Sequence, residues 1–268
     1  MQLGIIGVGT VGSAILDGFG GSHDVFIHDK EIGSSISDVI DNTDVAYIAV
    51  PTPTLESTSA CDTSIVESVL EELPDGFSAV IKSTIIPGTT ERLQQEFPNL
   101  KIACSPEFLR ERTAEQDFRN QETLVVGTHH KDLADLVLKH HLSAGLLDNG
   151  GFFHVSPTQA EIVKYAKNSF YAIKVIFGNQ FQDLCEHLEQ DWGEIREIIT
   201  SPQNQAIGPS HLNLLPGKRG FEGGCLPKDT LAILTELREL DLDYELLNAV
   251  LRDNARVRNG TNIDIHRS

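Results

Sequence analysis

Basic residues are scarce in this chain: 21 Lys and Arg stand against 39 Asp and Glu in 268 residues, a formal net charge of −18. A surface of that sign repels phosphate backbones and anionic lipid, so neither nucleic acid nor a membrane is expected as a partner. Long apolar runs are also missing. No stretch approaches the roughly 20 residues that span a bilayer, and the N-terminus enters a strand-like segment directly, so no signal peptide is expected. The four cysteines, Cys61, Cys104, Cys185 and Cys225, are widely spaced with no CxxC pair. A reducing cytoplasm is the simplest compartment, and no metal site is expected. Internal repeats and low-complexity tracts are absent. What is present is 40% hydrophobic residues, enough for a sizeable core. The length suits two domains of ordinary size or one large α/β domain.

From Met1 to about Val155, short β-branched runs alternate with helical or turn-rich connections. Candidate strands are Gln2–Ile6, Asp24–His28, Val45–Val50, Ala79–Lys82, Lys101–Ala103, Thr123–Val126 and Phe152–Val155. Apolar runs of this length suit a doubly wound parallel sheet covered on both faces, a Rossmann-like α/β domain over residues 1–155. From Thr158 to about Gln190 the period changes to that of one long helix, with Val163, Ala166, Phe170, Ile173, Phe177, Phe181, Leu184 and Leu188 recurring every three or four residues. So long a stripe is more than one small domain needs, and a neighbouring subunit is expected along it. Further helices are expected at Trp192–Thr200, Asp229–Leu240 and Tyr244–Arg256, with a Gly-, Pro- and Asn-rich loop at Ser201–Pro227. Residues 156–268 thus form an all-helical, dimer-forming domain, and the boundary falls near Ser156–Pro157.

Gly7-Val8-Gly9-Thr10-Val11-Gly12 follows the first strand and opens a helix. Glycines permit the tight turn and the close approach of backbone to a pyrophosphate, and the helix N-terminus offers free N–H groups. Asp29 ends the second strand 22 residues after Gly7. A carboxylate there accepts from the adenosine ribose hydroxyls and repels a 2′-phosphate, which favours NAD over NADP.

Three further segments carry possible chemistry. Lys164 and Asn168 share a helix face at i, i+4 and make a plausible donor pair for an oxyanion, although spacing alone favours a solvated lysine and an incidental asparagine. In Gly223-Gly224-Cys225-Leu226-Pro227-Lys228-Asp229, paired glycines let substrate approach the thiol, and a nearby cation such as Lys228 favours a thiolate. Asp229 reads as a base or simply a helix cap. Cys61, Cys104 and Cys185 lack such surroundings and read as packing residues. Ser83–Thr90 and Ser105–Glu111 follow strands, at the carboxyl edge where open α/β sheets bind ligands.

Together these residues resemble the UDP-glucose/GDP-mannose dehydrogenase family. Ala49-Val50-Pro51-Thr52-Pro53, Ser83–Thr90, Ser105–Glu111, Ala160–Asn168 and Gly223–Thr230 appear in that family's order, and Leu246–Val250 with Asn254 resembles the start of its interdomain helix. The resemblance implies NAD, placed on Gly7, Gly9, Thr10, Val11, Gly12, Asp29, Pro51, Thr52 and Thr84. It also implies a four-electron oxidation of a nucleotide-sugar's primary alcohol to the uronic acid. Cys225 corresponds to the nucleophile that captures the aldehyde as a thiohemiacetal, later a thioester. Lys164 and Asn168 match the oxyanion-stabilising pair, Asp229 the carboxylate that assists proton transfer, and Glu107 and Thr84 the residues that position water. Glu107, Phe108, Leu109, Arg110, Glu111, Lys164, Asn168, Lys218, Gly220, Phe221 and Gly224 match substrate-binding positions. Lys164, Lys218, Arg219 and Lys228 supply local positive charge for a diphosphate on an otherwise acidic protein.

The likeness has departures. The family continues into a third domain that binds the substrate's nucleotide, and this chain stops before it; unless the sequence is a fragment, the nucleotide is expected to be held otherwise, or the substrate to differ. The Asp29–Asp44 stretch is short, which removes a helix and strand beside the cofactor. Ala206 stands where many members have an arginine, and Glu222 replaces a common glycine. A single-step β-hydroxyacid-type dehydrogenase, or a non-catalytic NAD-binding remnant, are the alternative readings.

Overall fold

Seven short apolar segments and ten helices account for the regular structure of the computed structural model, which describes residues 1–55, 60–147, 150–201, 208, 210–212, 219–239, 241 and 245–259. The chain divides into two compact units, the first made of Met1–Glu56 and Cys61–Lys164, the second of Ser57–Ala60 and Tyr165–Ser268. In the first unit, β1 (Gln2–Ile6), β2 (Asp24–His28), β3 (Val45–Ile48), β4 (Ser78–Ile81), β5 (Lys101–Cys104), β6 (Thr123–Gly127) and β7 (Gly151–Val155) form one sheet in the order β2-β1-β3-β4-β5-β6-β7. Helices α1 (Thr10–Phe19), α2 (Ile36–Ile40), α3 (Ser64–Glu72), α4 (Thr89–Glu96), α5 (Ala114–Arg119) and α6 (Lys131–Ser143) connect the strands.

Strand alternation sends successive side chains to opposite faces, and both faces are covered. Leu3, Ile5, Val45, Tyr47 and Val80 pack with Ile15 and Phe19 of α1, Phe118 of α5 and Val137 of α6. Ile6, Ala46, Ile48, Ala79 and Ile81 pack with Val39 of α2, Val66 and Leu70 of α3 and Leu93 of α4. The short Asp29–Asp44 connection contains the five-residue α2 and leaves β2 at the sheet's edge.

The sheet departs from the expected all-parallel form at one place. Strands β2 to β5 are parallel, whereas β6 joins β5 antiparallel through the single pair Cys104↔Gly127, and β7 runs parallel to β6. An apolar run encodes burial but carries no direction, so patterning had no means of showing the reversal.

Helix α7 (Pro157–His187) starts beside the expected boundary, gives its first turns to the first unit and the remainder to the second. With α8 (Trp192–Ile199), α9 (Leu226–Glu239) and α10 (Glu245–Asn259) it makes the second unit helical. Ala172, Val175, Ile176, Phe221 and Val250 form that unit's core. Most of the stripe marked from sequence lies on the other side of α7: Phe170 is 58% exposed, Leu184 50% and Leu188 56%. Tyr165, Ala172, Lys174, Val175, Ile176 and Asn179 are buried along this stretch, while Phe170 and Leu184 of the marked stripe face outward. No helix among the described residues is long and apolar enough to cross a membrane.

Helix α6 carries two buried histidines. His140 shares a 2.8 Å hydrogen bond with the Tyr47 hydroxyl, and His141 donates from Nδ1 to the Val137 carbonyl at 2.8 Å. Burial lowers His140 from 6.5 to about 4 and His141 from 6.5 to about 3. Because both folded values lie below the unfolded one, the stability they permit is fully present above about pH 6.5 and is lost as pH falls toward those values. At pH 5 the loss is on the order of 2 kcal/mol for each histidine. Urea midpoints measured between pH 8 and pH 5 should fall accordingly; a flat profile would show that the two rings are protonated in the folded chain.

Candidate active site

Strand β1 feeds the glycine turn directly. Gly7 holds φ +89°, and a Cβ there would lie 2.7 Å from the Ala49 carbonyl oxygen. A Cβ on Gly12 would lie 1.9 Å from the Gly7 carbonyl oxygen, so neither position admits a side chain. At Gly9 nothing lies within 4 Å of the Cβ position, and Gly9 and Thr10 are exposed while Val11 packs toward the core. The turn is therefore closed inward and open outward over the N-terminus of α1, whose first turn no side chain caps. That shape and polarity fit a pyrophosphate. The Asp29 carboxylate accepts from the Val8 N–H at 2.6 Å and the Glu31 N–H at 2.8 Å. These two backbone donors, Val8 first, hold it below the usual carboxylate range, and each oxygen retains a further lone pair for a ribose hydroxyl.

The loops after β3 and β4 are joined at the same edge of the sheet. The Thr52 hydroxyl donates to the Thr84 carbonyl at 2.7 Å, and the Ser83 hydroxyl donates to the Val50 carbonyl at 2.7 Å. Pro51 is exposed beside them and Thr84 half-buried. Cys61, read from sequence as a packing residue, is half-buried, with its thiol 3.5 Å from the Thr84 carbonyl.

Glu107, after β5, is buried and ion-paired with Lys82. Its backbone carbonyl accepts from Lys164 Nζ at 2.6 Å, and that ammonium lies 5.9 Å from the centre of the Phe108 ring. Three expected site residues, Glu107, Phe108 and Lys164, are thus brought together. Their neighbours are not: Leu109 packs into the core, Arg110 pairs with Asp117 at 2.5 Å, and Glu111 is exposed in a short 3-10 turn. One turn before Lys164 on α7, buried Glu161 accepts from the Gly88 N–H at 2.6 Å, the Thr90 N–H at 2.8 Å and the Thr90 hydroxyl at 2.6 Å. Burial pushes its carboxyl up, opposed by those donors. The Ser83–Thr90 segment is thereby tied to α7. Neither Glu161 nor Lys82 stood out in the sequence. The i, i+3 spacing of Glu161 and Lys164 was a readable signal; Lys82 simply ended a strand.

In the second unit, α9 starts at Leu226, three residues earlier than expected, with Pro227 in the first turn where a missing N–H costs little. Cys225 is consequently exposed immediately before the helix, and its carbonyl accepts the Asp229 N–H at 2.8 Å. Asp229 is 1% exposed. Its Oδ2 accepts from Asn168 Nδ2 at 2.5 Å and its Oδ1 from Lys228 Nζ at 2.6 Å. Lys228 is thus engaged by Asp229. Gly220 and Gly224 flank a segment in which Phe221 is buried, its N–H donating to Asn254 Oδ1 at 2.7 Å. Arg219 pairs with Asp183 at 2.6 Å, and Glu222 with Arg258 at 3.1 Å. Lys218 and Ala206 lie outside the described residues.

Comparison with known proteins matches residues 28–140 to the NAD binding domain of the UDP-glucose/GDP-mannose dehydrogenase family and residues 158–256 to that family's central domain. A UDP-glucose 6-dehydrogenase from Rickettsia bellii is 32% identical over 230 residues, covering 82% of this chain and 51% of the relative. A GDP-mannose 6-dehydrogenase from Pseudomonas syringae is 28% identical over 242 residues, covering 82% and 52%. The solved UDP-glucose dehydrogenase of Pyrobaculum islandicum superposes with a TM-score of 0.81 at 27% identity, covering 95% of this chain and 68% of that one. The chain spans about half the length of the curated relatives it matches.

The cofactor of this NAD-binding domain gives the turn its test. Asp29→Asn should weaken NAD binding about tenfold, the scale of one charge-assisted hydrogen bond, and should narrow the preference over NADP. Calorimetric titration of both cofactors measures this, and unchanged affinities would remove Asp29 from the site.

Proposed function

The chain belongs to the UDP-glucose/GDP-mannose dehydrogenase family, and from that premise we propose that it oxidises the primary alcohol of a UDP-glucose-like nucleotide-sugar to the carboxylate through Cys225. The observation that carries this reading is the buried Asn168–Asp229–Lys228 cluster one helical turn behind an exposed thiol. The Gly7–Gly12 turn and Asp29 would hold NAD, with Pro51, Thr52 and Thr84 beside them. Two NAD molecules, bound there in succession with NADH released between them, would each supply a hydride acceptor for one of the two oxidations.

The side chains supply the remaining chemistry. Lys164 Nζ and Asn168 Nδ2 donate to the substrate oxygen as it loses its proton, which Asp229 accepts. Loss of the first hydride leaves an aldehyde. Cys225 Sγ adds to its carbon, a C–S bond forms, and the oxygen takes up a proton to give a thiohemiacetal. Loss of the second hydride and of the hydroxyl proton leaves a thioester. Water, placed by Thr84 and Glu107, adds to the thioester carbon, with Glu107 taking the proton. The C–S bond then breaks, the sulfur leaves as thiolate, and the sugar carries the new carboxylate. Covalent capture retains a reactive aldehyde and divides a four-electron oxidation into two manageable steps. A reducing cytoplasm suits this chemistry, and all four cysteines are free.

The outer face of α7, with Phe170 and Leu184 at least half exposed, is read as the surface that receives a second copy of the chain. Light scattering should give the mass of a dimer, and Phe170→Glu with Leu184→Glu should halve it. A monomeric wild-type protein would refute this use of the face.

Incubated with NAD and either UDP-glucose or GDP-mannose, the protein should release two NADH per sugar consumed, and Cys225→Ser should reduce full oxidation to background. One NADH per substrate, with the serine variant unaffected, would point to a single-step dehydrogenase that does not need the thiol.

A further inference from the structure

Lys82 follows β4 at the carboxyl edge of the sheet, and its side chain is 1% exposed. A lysine at that depth requires a partner for its charge. It has two: the ammonium is ion-paired with the Glu107 carboxylate and donates to the Ser105 hydroxyl at 3.1 Å. Ser105 is 0% exposed and Glu107 6%. The pair is thus held in a largely dry layer between the ends of β4 and β5. Lys164 meets Glu107 at its backbone carbonyl, and Lys82 is ion-paired with its carboxylate.

We propose that Lys82 is a positioning residue that keeps the Glu107 carboxylate ionised and oriented for the water step. This rests on the assignment of Glu107 to thioester hydrolysis given above. A buried carboxyl group without a cation retains its proton, and a protonated Glu107 has no place for the proton that the attacking water must lose. The groups facing the pair from neighbouring elements are Tyr47 of β3, Cys104 of β5, His141 of α6, and Glu161 and Lys164 of α7. Burial, reinforced by the Glu107 charge, pushes Tyr47 up; burial, reinforced by Lys82, lowers His141 to about 3. Burial and then Glu161 push Cys104 up. Tyr47, His141 and Cys104 are therefore neutral near pH 7 and do not substitute for the lysine.

Wild-type protein, Lys82→Met and Lys82→Arg are each mixed with NAD and UDP-glucose or GDP-mannose. Lys82→Met is expected to give a burst of two NADH per subunit, then a steady state roughly 100-fold slower at pH 7. An acyl adduct on Cys225 should be visible by intact mass, and the acid limb of the rate profile should move to higher pH. Lys82→Arg, which keeps the cation, should retain the wild-type limb. An unmoved limb in Lys82→Met overturns the proposal. If the wild-type protein turns over neither sugar, the functional reading fails, and the pairing is decided by stability alone. Glu107→Gln leaves the Lys82 charge buried without its partner, and Lys82→Met/Glu107→Gln removes that charge. The double variant should therefore have the higher Tm. A double variant that melts at or below Glu107→Gln overturns the pairing, whether or not Lys82→Met folds alone.

Discussion

A carboxylate leaves water only where donors replace it, and three carboxylates in this chain, Glu107, Glu161 and Asp229, are each no more than 6% exposed. Within each unit, the local arrangement follows from how each carboxylate is matched. Glu107 draws Lys82 inward, Glu161 draws the Gly88–Thr90 backbone onto α7, and Asp229 draws Asn168 and Lys228 together behind Cys225. None of these carboxylates can move without leaving its donors unsatisfied, so the loops that carry the chemistry are fixed by charge neutralisation as much as by apolar packing.

Helix α7 contributes to each unit separately. In the first, Glu161 anchors the Ser83–Thr90 segment and Lys164 brings an ammonium to the Glu107 carbonyl; in the second, Asn168 presents an amide to Asp229. Ala172, Val175 and Ile176 are buried in the core of the second unit, while Phe170, Phe181 and Leu184 are exposed. A single 31-residue helix is thus asked to satisfy buried polar groups on one side while leaving apolar surface on the other.

The acidic balance of the chain acquires a local meaning from the same pairings. Arg219, Lys228 and Arg110 are each matched by an aspartate within 2.6 Å. The Arg219–Asp183 and Arg110–Asp117 pairs are partly exposed and add little to stability, whereas Asp229 is buried against Lys228. Among the described residues around the Gly223–Gly224 loop, Arg219 and Lys228 sit in neutralised pairs.

The sequence by itself determined the strands, the helix that follows the glycine turn and the helices after residue 157, the glycine turn with Asp29, and the order of the five motifs, because these depend on local periodicity, on steric limits at glycine and on residue identity. The seven strand positions were legible to within about two residues at their ends, as boundaries fray but apolar cores do not. Only the tertiary structure decided the reversal of β6 and β7, since an apolar run has no sense of direction. It alone showed that the marked stripe of α7 faces outward, since a period identifies a face and not what covers it. It also decided the partners of Lys82 and Glu161, because a buried charge selects its counterpart by proximity in space, and proximity between residues 82 and 107 or 90 and 161 exists only once the sheet has formed.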